Sequence, residues 1–359
     1  VLSAAKIKAE KPILFLLRCQ MSTALETPLA VVNTTTYLPA LESNARDLVG
    51  AEMAGVESRI EEVLSRRPER LRGIIDHVAQ YRGKRFRPLL ALLVARTSGP
   101  VKPAHIDLAA AIELMHTASL VHDDILDNAD TRRHVPAIHA RWGHQAAVLL
   151  GDFLFSHAFE LTASVGDPRL NREVAMTARK VCQGEIQQSL EAGNWNISEN
   201  AYQDMIEGKT AEMIAATARL AALICGRPEA ECLAFDAYGR NLGMAFQIAD
   251  DLLDLVGEET RTGKSLGTDL DQGKATLPLI HALSTLKGAQ RDELLKQLGS
   301  SSDRATLRRL LDSAGSIDFA NDRARDHVAR AKRAINFLPA TPYRQALLGS
   351  ADKALARDC

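Results

Sequence analysis

Leu120-Val121-His122-Asp123-Asp124-Ile125-Leu126-Asp127 sets three carboxylates into an otherwise apolar, helix-like run. On a helix, Asp123 and Asp127 stand one turn apart on one face, with Asp124 about 100° round the axis. Without a cation, like charges at that spacing lower helix stability by about 0.2–0.5 kcal/mol. The pattern recurs where Asp250-Asp251-Leu252-Leu253-Asp254 follows the apolar run Met244-Ala245-Phe246-Gln247-Ile248-Ala249. One such cluster alone reads as a solvated helix face or a helix N-terminus. Two copies of the same i, i+1, i+4 triad, each preceded by residues that ought to be buried, argue for a shared purpose. Facing one another, they would make an oxygen-lined box for Mg²⁺, which takes a few carboxylates, retained waters and phosphate oxygens.

The 359 residues are 46% hydrophobic and 25% charged with a formal net charge of −1, the balance of a soluble globular protein, and no nucleic-acid-binding field is implied. Aromatics are only 4%, Ala and Leu abound, and Gly and Pro fall mainly between long periodic stretches, which predicts an all-α protein. Cys19, Cys182, Cys225, Cys232 and Cys359 form no short-spaced metal or redox motif, so reduced thiols in a cytoplasm are expected. Residues 1–44 lack the pattern of the rest. Pro12 to Leu17 is too short to cross a bilayer, and the segment is expected to be a partly disordered extension. From Ala45, apolar residues recur at Val49, Met53, Val56, Ile60 and Val63. Breaks follow at Ser98-Gly99-Pro100, Gly166-Asp167-Pro168, Gly193-Asn194, Gly226-Arg227-Pro228 and Gly257, and residues 45–359 read as one helical catalytic domain.

Cations accompany the carboxylates. Gly83-Lys84-Arg85-Phe86-Arg87-Pro88 opens an apolar helix with positive charge, against the helix macrodipole, and Lys84 and Arg87 can converge on one phosphate-sized anion. Arg132 and Arg133 follow the first triad and, being adjacent, can serve two different anions. Lys209-Thr210 begins a further helix, and Gln247 lies three residues before Asp250 on nearly the same face. Gly263-Lys264-Ser265-Leu266-Gly267-Thr268-Asp269 and Gly273-Lys274 read as a flexible loop suited to closing over a polyanion. No His-Glu-x-x-His metal motif, nucleophile elbow, P-loop or dinucleotide fingerprint occurs. Carboxylates, Mg²⁺ and cations beside an apolar bundle imply a ligand with a diphosphate head and a hydrocarbon tail.

In this order and spacing, the chain resembles the trans-type polyprenyl diphosphate synthases, from about Ala45 to near the C-terminus. The resemblance rests on Gly83 to Pro88, Asp123 to Asp127 with Arg132-Arg133, Gly151-Asp152, Lys209-Thr210, Gln247, Asp250 to Asp254, Lys264 and Lys274. It implies an antiparallel helix bundle around a central apolar cavity, a homodimer, and up to three Mg²⁺ ions held by Asp123, Asp127 and Asp250. Asp124 and Asp254 would act behind them or through water, with Asp251 and Lys209 also in the catalytic set. Arg132, Lys209, Thr210, Gln247, Lys264 and Lys274 would hold an allylic diphosphate, and Lys84, Arg87, His116 and Arg133 isopentenyl diphosphate. Two departures stand out: Arg82 precedes Gly83 where the family has a second glycine, and His134 follows Arg133 where it has Gly.

One turn below the first triad lie Ala118 and Ser119, small where short-chain members carry a bulky aromatic, and then Met115. Each helical turn gives about 5.4 Å, close to one isoprene unit, so a product of about C35–C45 is expected. The rivals are a C20 geranylgeranyl diphosphate synthase, a terpene cyclase, whose second metal motif normally mixes Asn, Ser and Glu, and a non-catalytic partner subunit, which should have lost part of this set. No integral membrane span and no nucleic-acid partner are expected.

Overall fold

Glycine and proline mark most of the helix boundaries in the computed structural model, which describes residues 45–66, 68–81, 83–257, 267–299 and 303–355. The expected extension over residues 1–44 lies outside these. The main helices are α1 (Gly50–Ser65), α2 (Phe86–Arg96), α3 (Pro103–Leu126), α4 (His144–Ser164), α5 (Pro168–Leu190), α6 (Glu199–Ile206), α7 (Glu212–Cys225), α8 (Glu229–Val256), α9 (Leu277–Thr285), α10 (Gly288–Gly299), α11 (Arg304–Ser313), α12 (Ser316–Ala334) and α13 (Pro342–Lys353). Pro168 starts α5 after Asp167, whose carboxylate accepts the Arg169 N–H at 3.0 Å. Gly226, at φ 82°, ends α7, and Arg227 N–H reaches back to Ala222 O at 3.2 Å.

The breaks expected at residues 98–100, 193–194, 226–228 and 257 fall between helices, and that at 166–168 ends on Pro168, the first residue of α5. The all-α expectation has one small exception. β1 (Thr131–Arg132) and β2 (Val135–Pro136) form a short antiparallel hairpin whose two turn residues, Arg133 and His134, have φ of 51° and 65°. Both φ values are positive, so His134 occupies a place that favours glycine, at a cost of about 1–2 kcal/mol.

Burial explains the layering. In α3, Leu108 through Met115 are buried with no polar face except Glu113, and α7 is buried almost from end to end. Helix α7 packs on α2, α3, α5 and α8, while α8 also lies along α12, and α3 along α4. By length and composition α4 could cross a membrane, but Ala147, Leu150, Leu154, Ala158 and Leu161 are buried against the bundle core. Helices α3 and α8, which carry the two triads, end at the same side of the bundle.

Close backbone contact between α7 and α8 depends on Gly239, where a Cβ would fall 2.6 Å from Ile214 O and 2.7 Å from Ala215 Cα. Gly239→Ala therefore forces the two helices apart and lowers unfolding free energy by about 1–3 kcal/mol. Denaturant titration checks this, and an unchanged midpoint and slope would contradict the contact.

Candidate active site

Both triads lie at helix C-terminal ends. Asp127 is the C-cap of α3, and Asp254 is in the last turn of α8. The carboxylates thus add negative charge where the macrodipole is already negative. Burial raises the proton affinity of Asp123, Asp124 and Asp251. Burial, then Glu185, push Asp123 up to about 7 although Lys209 opposes them. Burial and Asp269 push Asp251 up to about 8, and burial and Asp254 push Asp269 up to about 6. Among the described residues, no three His, Cys, Asp or Glu side chains converge into a ready metal cluster. Mg²⁺ is held by one or two carboxylates with waters and substrate phosphates rather than by an all-protein cage. The donor set fits: hard carboxylate oxygens at the ends of helices whose dipoles attract cations.

The triad members divide their work. Asp124 is buried and accepts from Arg132 Nε at 2.7 Å and from Arg132 Nη2. Asp251 is buried on the Tyr202 hydroxyl (2.6 Å) and Gln247 Nε2 (2.7 Å). Asp254 receives the returning chain: its carboxylate accepts Thr268 Oγ1–H at 2.9 Å and Asp269 N–H at 3.0 Å. Of the expected loop, residues 263–266 lie outside the described residues, and its end differs from the expectation, because Thr268–Asp271 form a helical turn that Asp254 caps. Lys264 lies outside the described residues. Beyond the turn, Lys274 Nζ reaches Asp127 Oδ1 at 3.2 Å and Asp269 Oδ1 at 3.8 Å, so one lysine bridges the two ends of the site.

Lys209 and Thr210 sit on a π-wound turn, Glu207–Ala211, between α6 and α7. Glycines let it fit. A Cβ at Gly184 of α5 would fall 2.5 Å from Lys209 N, and one at Gly243 of α8 would fall 2.5 Å from Ala211 Cα. Lys209 Nζ donates to Glu185 Oε2 at 2.9 Å and Gln188 Oε1 at 3.0 Å, and Thr210 Oγ1 donates to Gln247 Oε1 at 2.6 Å. Burial opposes the Lys209 charge, but Glu185 and Asp123 hold its pKa above the usual lysine value. Lys209, Gln247, Asp251, Asp269 and Lys274 line one open cleft.

A second cationic group forms around the start of α2. The Arg133 guanidinium packs over Gly83, where a Cβ would collide with it, and donates to Tyr81 O. Arg87 Nε is buried without a hydrogen-bond partner, and burial lowers its pKa. Burial, then Arg87 and Arg133, hold His116 well below its ordinary value. Three cationic or protonatable groups so placed would gain from a bound anion. Lys84 is exposed beside them. Arg85 points elsewhere: at φ 48° it donates to Glu57 Oε1 and Glu113 Oε1, both at 2.8 Å. It thereby ties the motif to α1 and α3.

Sequence reasoning missed several residues. Arg85 stands inside the basic motif with no sequence signal for its role; Glu57 and Glu113 are its distant partners. Tyr202, Glu185 and Gln188 carry no local signal. Gly151 does: its missing side chain makes room for the His122 ring, whose Nε2 donates to Val148 O at 3.1 Å. The residues below the triad are Ala118 and Met115, both buried, and Ser119, whose hydroxyl donates to His116 O at 2.9 Å.

Residues 68–313 match the polyprenyl synthetase family. The chain is 35% identical over 315 residues to an octaprenyl diphosphate synthase of Escherichia coli K12, covering 87% of this chain and 98% of that one. It is 38% identical over 318 residues to a short chain isoprenyl diphosphate synthase of Methanothermobacter thermautotrophicus, covering 86% and 96%. A polyprenyl synthase of Caulobacter crescentus CB15, solved with calcium and isoprenyl diphosphate, superposes with a TM-score of 0.82 at 35% identity, covering 89% of this chain and 98% of that one.

Arg85→Met leaves Glu113 buried without its cation and costs about 3–5 kcal/mol. Glu113→Gln in the same background recovers part of the loss. Urea unfolding measures both, and a single-variant loss under about 1 kcal/mol would contradict a buried pair.

Proposed function

The chain belongs to the polyprenyl synthetase family and is a trans-type polyprenyl diphosphate synthase, and we propose that it condenses isopentenyl diphosphate with an allylic diphosphate to make a product of about C35–C45. The observation that carries this reading is the pair of carboxylate triads at the negative ends of α3 and α8, with Lys274 on Asp127 and on Asp269, whose N–H Asp254 accepts, and Lys209 beside Asp123.

Asp123, Asp127 and Asp250 would hold up to three Mg²⁺ ions. Bound there, divalent ions supply charge neutralisation for a departing pyrophosphate. The chain's own groups do the rest. Lys209, Thr210, Gln247, Lys274 and Arg132 would orient the allylic diphosphate; Arg132 would also keep Asp124 ionised and turned away. Arg87, Arg133, His116 and Lys84 would hold isopentenyl diphosphate so that its double bond attacks the allylic carbon as the C–O bond breaks. The proton lost afterwards passes to the departing pyrophosphate. The apolar side chains of Ala118 and Val121 on α3 and of Leu150 and Leu154 on α4 would exclude water from the cation.

Ala118 and Ser119, small residues under the triad, support a long product. Met115, buried one turn further, and the likeness to a short-chain enzyme support the C20 alternative. Val148 and Leu149 on α4, 44% and 59% exposed, offer an apolar face to a second copy in a homodimer. Cys182, Cys225 and Cys232 are free thiols, in keeping with a cytoplasmic enzyme.

Sizing the products made from isopentenyl diphosphate and a farnesyl primer with Mg²⁺ decides chain length. A distribution centred on about C35–C45 is expected from the turn geometry, and Ala118→Phe should shorten it. A wild-type product that stops at the C20 length would overturn the long-chain reading, and an unchanged product from Ala118→Phe would overturn the path along α3.

A further inference from the structure

The π-wound turn carrying Lys209 and Thr210 is held at both ends by one side chain. Arg240 Nη1 donates to Glu207 Oε1 at 2.7 Å and to Glu212 Oε2 at 2.9 Å. These two glutamates flank the turn and are five residues apart. In α-helical winding they would stand about 140° apart round the axis, too far for one guanidinium nitrogen to serve both. They share it because Glu212 N–H bonds to Glu207 O, the i→i+5 closure of a π-turn. Arg240 is itself fixed by Asp236, one turn back on α8, with Nε at 3.1 Å and Nη2 at 3.0 Å from Oδ2. Lys180 Nζ secures the other oxygen of the buried Glu212 at 2.8 Å.

Arg240, Gly243, Gln247 and Asp251 follow one another on α8 at spacings of three, four and four, so they share a face. That face meets the turn throughout: Arg240 at its two ends, Gly243 against the Ala211 backbone, and Gln247 on the Thr210 hydroxyl. Relaxation to α-helical winding would separate Glu207 from Glu212 and rotate Lys209 relative to Glu185, Gln188 and Asp123.

We infer that Arg240 is a positioning residue: by clamping Glu207 and Glu212 it holds the π-turn that aims Lys209 and Thr210 at the allylic diphosphate. The inference rests on assigning that diphosphate to Lys209 and Thr210. It predicts an effect specific to one of two substrates, which loss of fold alone would not produce.

The test uses the full-length enzyme with Mg²⁺ and both substrates, comparing Arg240→Met, Arg240→Lys, Lys209→Ala and the double variant Lys209→Ala/Arg240→Met. Arg240→Met should raise the allylic KM about tenfold while the isopentenyl KM stays within about twofold. Arg240→Lys should recover only part of this, because an ammonium lacks the planar fork. The double variant should be no worse than Lys209→Ala. Backbone amides of residues 207–212 should exchange hydrogen faster in Arg240→Met by mass spectrometry. If Arg240→Met does not fold, Glu207→Gln, on the more exposed side of the clamp, should give the same split at about threefold. An unchanged allylic KM, an equal rise in both KM values, or additive effects in the double variant would overturn the inference. If Lys209→Ala itself leaves the allylic KM unchanged, the diphosphate assignment fails, and amide exchange alone decides whether Arg240 holds the turn.

Discussion

Carboxylates gathered at the negative ends of two helices are the constraint on which the site depends. Asp123 and Asp127 close α3, and Asp250, Asp251 and Asp254 close α8, so helix dipole and side-chain charge repel in the same direction. The protein relieves part of this internally. Arg132 takes Asp124, Tyr202 and Gln247 take Asp251, the turn at Thr268 takes Asp254, and Lys274 takes Asp127. The high proton affinity that remains, at about 7 for Asp123, reflects burial and unrelieved negative charge. Divalent cations answer that need without a preformed cage.

The second half of the site has the opposite excess. Arg87, Arg133 and His116 crowd together at the start of α2, and burial and mutual repulsion disfavour their charges. A negative field at one end and a positive one beside it suit a metal-bound diphosphate next to a second, metal-free one. Rigid backbone makes the arrangement specific. Glycines at 83, 151, 184 and 243 let Arg133, His122 and the π-turn approach where any side chain would collide.

Much of this was legible in the chain. The triads, the basic motif before Pro88 and the Gly/Pro punctuation report local chemistry, and helices end or begin at each of the breaks that punctuation marks. His134 was legible as a departure from the family pattern, and its φ of 65° shows what the missing glycine would have served. What escaped detection depends on long-range partners. Tyr202 meets Asp251 across 49 positions, and Arg85 meets Glu57 and Glu113 each across 28. The π-turn was hidden for a different reason. Glu207 and Glu212 are spaced as if on different faces of an α-helix, and only winding that departs from the 3.6-residue period brings them together.

The central claim is that the carboxylate and cation groups are mutually compatible only when metal and diphosphate bind together. Calorimetric titration with inorganic pyrophosphate, in Mg²⁺ and in chelator, tests it directly. The account predicts that Mg²⁺ tightens pyrophosphate binding by at least about tenfold, that pyrophosphate tightens Mg²⁺ binding by the same factor, and that Asp250→Ala removes the coupling. Equal pyrophosphate affinity with and without Mg²⁺ would contradict it.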